Sequence, residues 1–249
     1  DEKMFVAMVT DQGQIKKTSL AEFSNPRRTG IASITLQKND LVSDVKLTDG
    51  TQDVVIGTKN GLAIRFRENE ARQMGRTAGG VRAIKLGKGD KVVGAVAIKR
   101  TKTSILCATE NGYGKRSELD EYRVSHRGGK GVITVRVTDK TGKMVAIKEV
   151  NESDDIVVVT TQGMIIRQPA TTIRLTGRNS QGVRLIRLDN ADAIAAVAAV
   201  PSEEIEEKKV AEAEEAKLKT EKPEAKNKIQ PSLFEKPAEK KENKKKSKK

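Results

Sequence analysis

The sequence predicts an all-β, propeller-like fold of four-stranded blades, and three observations predict it. The first is an internal repeat. Turn glycines stand at Gly13, Gly61, Gly112 and Gly163, spaced 48, 51 and 51 residues apart, and second glycines follow at Gly30, Gly80, Gly131 and Gly182. The second is strand density: short β-type runs flank these glycines. A strand-rich repeat of this length builds blades around a centre. The third is composition. Only 2% of residues are aromatic, so the core is expected to be Val, Ile, Leu and Ala, which suits narrow strands stacked closely.

Repeat 2 shows the plan most clearly. Asp53–Thr58 reads as a strand, Lys59-Asn60-Gly61 as a turn, and Leu62–Arg67 as the return strand. Asn-Gly supplies the positive φ of a tight hairpin. Alternation puts Leu62, Ile64 and Phe66 on one face and Arg65 and Arg67 on the other. A loop rich in Arg and Gly covers 72–80, and strands are expected at 81–86 and 92–98. The other repeats follow, with the first strand beginning near Met4 and turns at Asp11-Gln12-Gly13, Glu110-Asn111-Gly112 and Thr161-Gln162-Gly163. Third strands are expected at 31–36, 132–137 and 183–188, and fourth strands at 41–47, 144–150 and 194–200. Lys16 and Lys115 fall on the face that is apolar in repeat 2, which implies more exposed blades or a register one residue off. The repeats cover about 1–50, 51–101, 102–153 and 154–200, one domain over 1–200. Residues 201–249 are Glu, Lys and Ala with interspersed Pro, and read as a disordered Lys/Glu-rich tail.

Charge narrows the partner. The formal net charge is +14, and the tail's 15 Lys and 12 Glu account for only +3 of it, so the repeats are themselves basic. A polyanion fits such a surface, although basic charge also serves solubility. No apolar run approaches the roughly 20 residues of a membrane span, and no signal peptide is visible. The single cysteine, Cys107, sits in an apolar run and reads as a small buried hydrophobe in a reducing compartment. The abrupt start at Asp1 is expected to lie inside a longer gene product.

Catalysis finds little support. The lone histidine, His126, lies in a Gly-rich loop. Asp154 and Asp155 read as a solvated strand entrance. Gly87-Lys88-Gly89 lacks phosphate-loop spacing, and no residues have metal-ligand spacing. Phosphate binding is better supported. Four residues after each turn glycine stands a cation: Lys17, Arg65, Arg116 and Arg167. One cation at the same offset in every blade predicts a charged track around a rim. The interstrand loops add Arg27, Arg28, Arg76, Arg127, Lys130 and Arg178, where glycine beside arginine lets a backbone N–H and a guanidinium approach one phosphate. The third strands add Arg82, Lys85, Arg136, Arg184 and Arg187. Some of these cations can instead neutralise carboxylates on neighbouring blades. Few amide or acid side chains sit among them to read bases, and no aromatic platform exists for base stacking, so low sequence specificity on duplex DNA is expected.

Three segments carry a family resemblance. Gly75-Arg76-Thr77-Ala78-Gly79-Gly80-Val81-Arg82-Ala83-Ile84-Lys85-Leu86, Asn111-Gly112-Tyr113-Gly114-Lys115-Arg116, and Gly177-Arg178-Asn179-Ser180-Gln181-Gly182-Val183-Arg184-Leu185-Ile186-Arg187-Leu188 resemble the C-terminal domain of the A subunit of DNA gyrase. The resemblance covers residues 1–200. It implies a β-pinwheel that wraps duplex DNA around its basic edge, supporting ATP-dependent negative supercoiling by the holoenzyme. It implies as partners duplex DNA, the rest of a homodimeric gyrase A subunit, and the gyrase B subunit, in the bacterial cytoplasm at the nucleoid and without a membrane. ATP and magnesium belong to other domains, so no cofactor and no catalysis are expected here; the cleaving tyrosine region is not in this sequence. Two departures stand out. The family disc usually has six blades against four repeats here. The family box Gln-Arg-Arg-Gly-Gly-Lys-Gly is matched at five of seven positions by Ser125-His126-Arg127-Gly128-Gly129-Lys130-Gly131, in the third repeat rather than an early one, which places a principal box upstream. The equivalent domain of topoisomerase IV, binding DNA with little wrapping, is one alternative. A propeller used as a protein-interaction scaffold is another.

Overall fold

The computed structural model describes residues 3–100, 102–189 and 191–201; the expected disordered tail after Pro201 lies outside the described residues. The described chain is all β, with four single-turn 3-10 helices and no α-helix. Each repeat opens with a hairpin: β1 (Phe5–Thr10) and β2 (Gln14–Ser19), β4 (Asp53–Thr58) and β5 (Leu62–Arg67), β8 (Ser104–Thr109) and β9 (Tyr113–Glu118), β12 (Asp154–Thr160) and β13 (Ile165–Pro169). The long fourth strands are β3 (Val42–Thr48), β7 (Val92–Ile98), β11 (Met144–Val150) and β15 (Ile194–Pro201). The two-residue strands β6 (Val81–Arg82), β10 (Val132–Ile133) and β14 (Val183–Arg184) complete the set.

The hairpins form where Asn-Gly and Gln-Gly turns predict them. Gly61 sits at φ +81°, a conformation that glycine takes without strain. A threonine before the turn steadies it: Thr58 Oγ1 accepts the Leu62 N–H at 3.3 Å, and Thr10 and Thr160 do the same for Gln14 and Met164. An aspartate from the loop before the fourth strand accepts a second turn N–H, as Asp90 does from Asn60 at 2.9 Å.

Sheet membership departs from the sequence reading, in which the third strand of each repeat completes its own blade over about six residues. Instead β6 pairs with β2, β10 with β5 and β14 with β9, so each repeat completes the sheet of the repeat before it. Only two residues keep the ladder. The chain then curls over the preceding hairpin, where the Gly61 carbonyl accepts the N–H of both Thr134 and Val135, and Gly13 and Gly112 repeat the arrangement. The segment 31–36, the expected third strand of repeat 1, forms no strand. Three sheets therefore have four strands, and the last has three, in the order β13-β12-β15.

The long fourth strands lie at one edge of each sheet and pack in succession, β3 on β7, β7 on β11, and β11 on β15. The donated strands lie at the opposite edge. The apolar core sits between blades. Alternate residues of one strand serve different clusters: Val54 and Ile56 join Ile15, Ile64 and Phe66, whereas Val55 joins Ile105, Cys107 and Ile147. Leu106 and Ala108 then join Ile156, Val158 and Ile186. Both faces of β4 and β8 are buried for that reason, as the period-2 geometry of a sandwiched strand requires.

Lys16 and Lys115 are not signs of exposed blades. Both are fully buried, and the register pairs Met8 with Lys16 and Cys107 with Lys115. Their Nζ groups reach loop carbonyls, which is how a charged residue tolerates an apolar face. Cys107 is buried as expected, and burial raises its thiol pKa.

Candidate nucleic-acid interface

The four periodic cations do not form an open track. Lys17 is buried; its Nζ lies 3.6 Å from Glu68 Oε1 and over the Phe5 ring. Arg65 bonds Asp53 through Nε and Nη2, at 2.8 and 2.7 Å, and through Nη1 the carbonyls of Leu119 and Tyr122 on the next blade. Arg116 is 5% exposed, and its Nε donates to the Ile173 carbonyl at 2.9 Å. Arg167 is exposed but bonds Asp155 at 2.7 Å. Lys17, Arg65 and Arg116 thus tie one blade to the next. Their shared offset arises because the joint between blades repeats, and a buried, partnered guanidinium does not reach a phosphate outside.

Of the loop arginines, Arg27 and Arg28 are exposed, whereas Arg76, Arg127 and Arg178 are half-buried. Arg76, Arg127 and Arg178 each donate the backbone N–H to a glutamate of the preceding repeat: Glu22 at 3.2 Å, Glu70 at 3.0 Å and Glu121 at 2.7 Å. Each also sends Nη1 to a carbonyl of that repeat's third segment, namely Ala32, Arg82 and Ile133. The glutamates stand in the 3-10 turns at Leu20–Phe23, Glu68–Glu70 and Leu119–Glu121. These loops are fixed in place by acids that sequence reasoning overlooked, although Glu70 and Glu121 share the 51-residue spacing.

The expected third-segment cations are exposed. Arg82, Lys85, Arg136, Arg184 and Arg187 are all exposed, as is Lys130. Arg82 and Arg184 stand on β6 and β14, at the sheet edge opposite the fourth strands. Arg184 donates to the Tyr113 hydroxyl at 3.2 Å and lies over that ring, which lowers the phenol's pKa. Arg72, Arg123 and Arg174 form a further set, spaced 51 and 51 residues, all exposed. They were not singled out as candidates, although Arg72 opens the loop read at 72–80 and the same period would have found all three. Each of the three joints therefore exposes three cations: Arg72, Arg82 and Lys85; Arg123, Lys130 and Arg136; Arg174, Arg184 and Arg187.

Comparison with known proteins places this geometry. A family model described as DNA gyrase C-terminal domain, beta-propeller, matches residues 5–49, 52–99, 103–151 and 154–201. The chain belongs to this family. The A subunit of DNA gyrase from Haloquadratum walsbyi is 40% identical to this gyrase-type domain over 195 residues, covering 78% of this chain and 23% of that protein. The A subunit of DNA gyrase from Staphylococcus epidermidis is 42% identical over 194 residues, 78% of this chain and 22% of that protein. The chain thus spans less than a quarter of these relatives' length. A solved DNA topoisomerase IV C-terminal domain superposes with TM-score 0.78 at 29% identity, covering 86% of this chain and 67% of that one. A solved DNA gyrase A C-terminal domain gives TM-score 0.74 at 26% identity, covering 80% and 67%.

Within the gyrase-type domain, the box-like segment 125–131 forms the third loop. Ser125 N–H donates to the Arg65 carbonyl at 2.8 Å, and the exposed His126 has Nδ1 3.4 Å from Glu70. Among the described residues no group of three or more His, Cys, Asp or Glu could hold a metal ion, and no helix is long and apolar enough to cross a membrane.

Proposed function

We propose that this gyrase-type domain binds duplex DNA along its outer edge, with little sequence specificity, and bends the duplex around the blades as part of a gyrase A subunit. The observation that carries this reading is the triplet of exposed cations repeated at three successive joints. Such spacing meets a phosphate backbone at regular intervals, and backbone contacts position DNA without reading its bases. Bending a 20–30 bp site costs on the order of 1–6 kcal/mol, which that number of charge-assisted contacts outweighs. In the holoenzyme, the wrap would present a crossing to a cleavage gate elsewhere, with the gyrase B subunit supplying ATP hydrolysis in the bacterial cytoplasm at the nucleoid. The domain itself carries no strand cleavage in this reading.

Charge reversal at Arg72, Arg123 and Arg174 together tests the edge. Duplex affinity should fall, and the slope of log affinity against log salt should shrink by up to roughly 3, near 0.9 per lost contact. Unchanged affinity and slope would remove the edge from consideration. Wrapping is read separately: a relaxed plasmid closed by a nicking-closing enzyme in the domain's presence should shift in linking number. Binding without that shift supports the topoisomerase IV reading.

A further inference from the structure

Two lysines have no part in the exposed edge and break the apolar pattern of the core. Lys16 and Lys115 lie three residues after Gly13 and Gly112, and neither is exposed. The equivalent positions in the other two repeats are Ile64 and Ile166. An ammonium buried there is costly unless its donors are met, whereas Ile64 fills the same place with 1% exposure. Core packing alone therefore does not account for the charge.

The donors go to one kind of target. Lys115 Nζ bonds the Gly177 carbonyl at 2.7 Å and the adjacent Arg178 carbonyl. Lys16 Nζ bonds the carbonyls of Arg76 and Ser33. From the other side, Glu121 and Glu22 accept the N–H of Arg178 and Arg76. Each arginine residue is gripped by an ammonium on its carbonyl and a carboxylate on its N–H. The gripped loop in turn sets part of the edge: the Ser180 carbonyl accepts the N–H of the exposed Arg136 at 3.1 Å, and the Ala78 carbonyl that of Thr35 at 3.3 Å. The middle joint lacks the ammonium. There Ile64 faces the loop, Arg127 is held by Glu70 and by the Arg82 carbonyl, the Gly128 N–H donates to the Ala83 carbonyl at 2.6 Å, and a lysine appears within the loop as the exposed Lys130.

We propose that Lys16 and Lys115 are positioning residues that lock the loops at 75–80 and 177–182, the second of which holds the exposed Arg136 in place through the Ser180 carbonyl. The proposal rests on the reading of the edge as a DNA surface. Burial pulls Lys115 down to about 8 from its ordinary 10.5, and Lys16 shifts the same way. The titratable and charged groups facing Lys115 are Cys107 on β8, Glu121 in the 3-10 turn and Arg178 in the loop, with Tyr122 against Cys107 and Arg178. Burial raises the pKa of Cys107 and Tyr122, so both stay neutral near pH 8. As pH rises through about 8, the ammonium loses its charge and the grip weakens. Stability moves the other way, because the folded pKa lies below the unfolded one and the cost of the buried charge is relieved between about 8 and 10.5.

The test uses the full chain with Lys115→Ile, and Lys115→Met as a second variant. Amide exchange of 177–182 without DNA should quicken by about tenfold, the loss expected for a charge-assisted hydrogen bond. Duplex affinity at pH 7 should fall several-fold, its decline through pH 8 should vanish, and the melting temperature should hold or rise. Exchange and pH profile matching those of the unmodified chain would overturn the proposal, as would a large melting-temperature loss in both variants, which marks a mere support of the fold. If the unmodified chain binds no duplex, the DNA reading fails, and exchange alone then judges the lysine.

Discussion

Arg65 shows how a correct period can carry a wrong role. Its position four residues after Gly61 was legible, and so was its match to Lys17, Arg116 and Arg167. Its direction was not, because a period of 51 residues reports what every joint needs, whether that is a ligand contact or a tie. A second signal did lie in the sequence. Asp53 precedes Arg65 by 12 residues and Asp155 precedes Arg167 by 12, and across a tight hairpin that separation is a diagonal pair. Arg65→Ala should therefore lower unfolding stability by about 1–3 kcal/mol, since the buried Asp53 loses Arg65 but keeps Arg67 at 2.8 Å. It should leave the salt slope of duplex binding unchanged. Chemical denaturation and binding titrations at several salt concentrations check both, and a slope reduced by about 0.9 would return Arg65 to the DNA contacts. The exposed third-segment cations were legible as recurring cations, but not from alternation: Arg82 and Lys85 flank two consecutive buried residues, Ala83 and Ile84, where the strand has ended and the chain curls over the hairpin.

At the scale of elements, every hairpin was legible and every donated strand was misplaced. Hairpins join neighbours in sequence, so turn chemistry and alternation specify them locally. A two-residue ladder has no period, and nothing in Val81-Arg82 says which sheet edge it meets. The glycines before these strands record the answer only in three dimensions. A Cβ on Gly131 would lie 2.9 Å from the Ala63 carbonyl carbon, against the backbone of β5, whereas one on Gly30 would meet nothing within 4 Å. Both glycines have positive φ, +78° and +80°. Gly30→Val should therefore cost only the backbone term, about 1–2 kcal/mol. Gly131→Val should cost clearly more, because it also pushes β10 off β5. Equal losses in paired denaturation curves would show that donation contributes little to stability.

At the scale of the whole domain, the apolar clusters belong to joints, so stability is expected to pass from neighbour to neighbour as in other stacked repeats. Charge also acts at this scale. With nine exposed cations along three joints, roughly 6–10 phosphate contacts are available, and affinity for duplex should fall by about 10³–10⁵ between 50 and 200 mM salt. A fall below tenfold in a fluorescence titration would mean that most of these cations never meet the backbone together. The basic character of the repeats was legible from composition, since charge needs no fold to be counted.

Because each sheet is finished by its successor, the smallest self-sufficient piece of this architecture is the seam and not the blade. Excising one whole repeat, for instance 52–102, would bring two strangers together whose meeting faces were each shaped for a near-identical mate. Such a shortened molecule inherits no raw border it did not already possess, so lineages built on this plan can gain or shed a unit in a single recombination event.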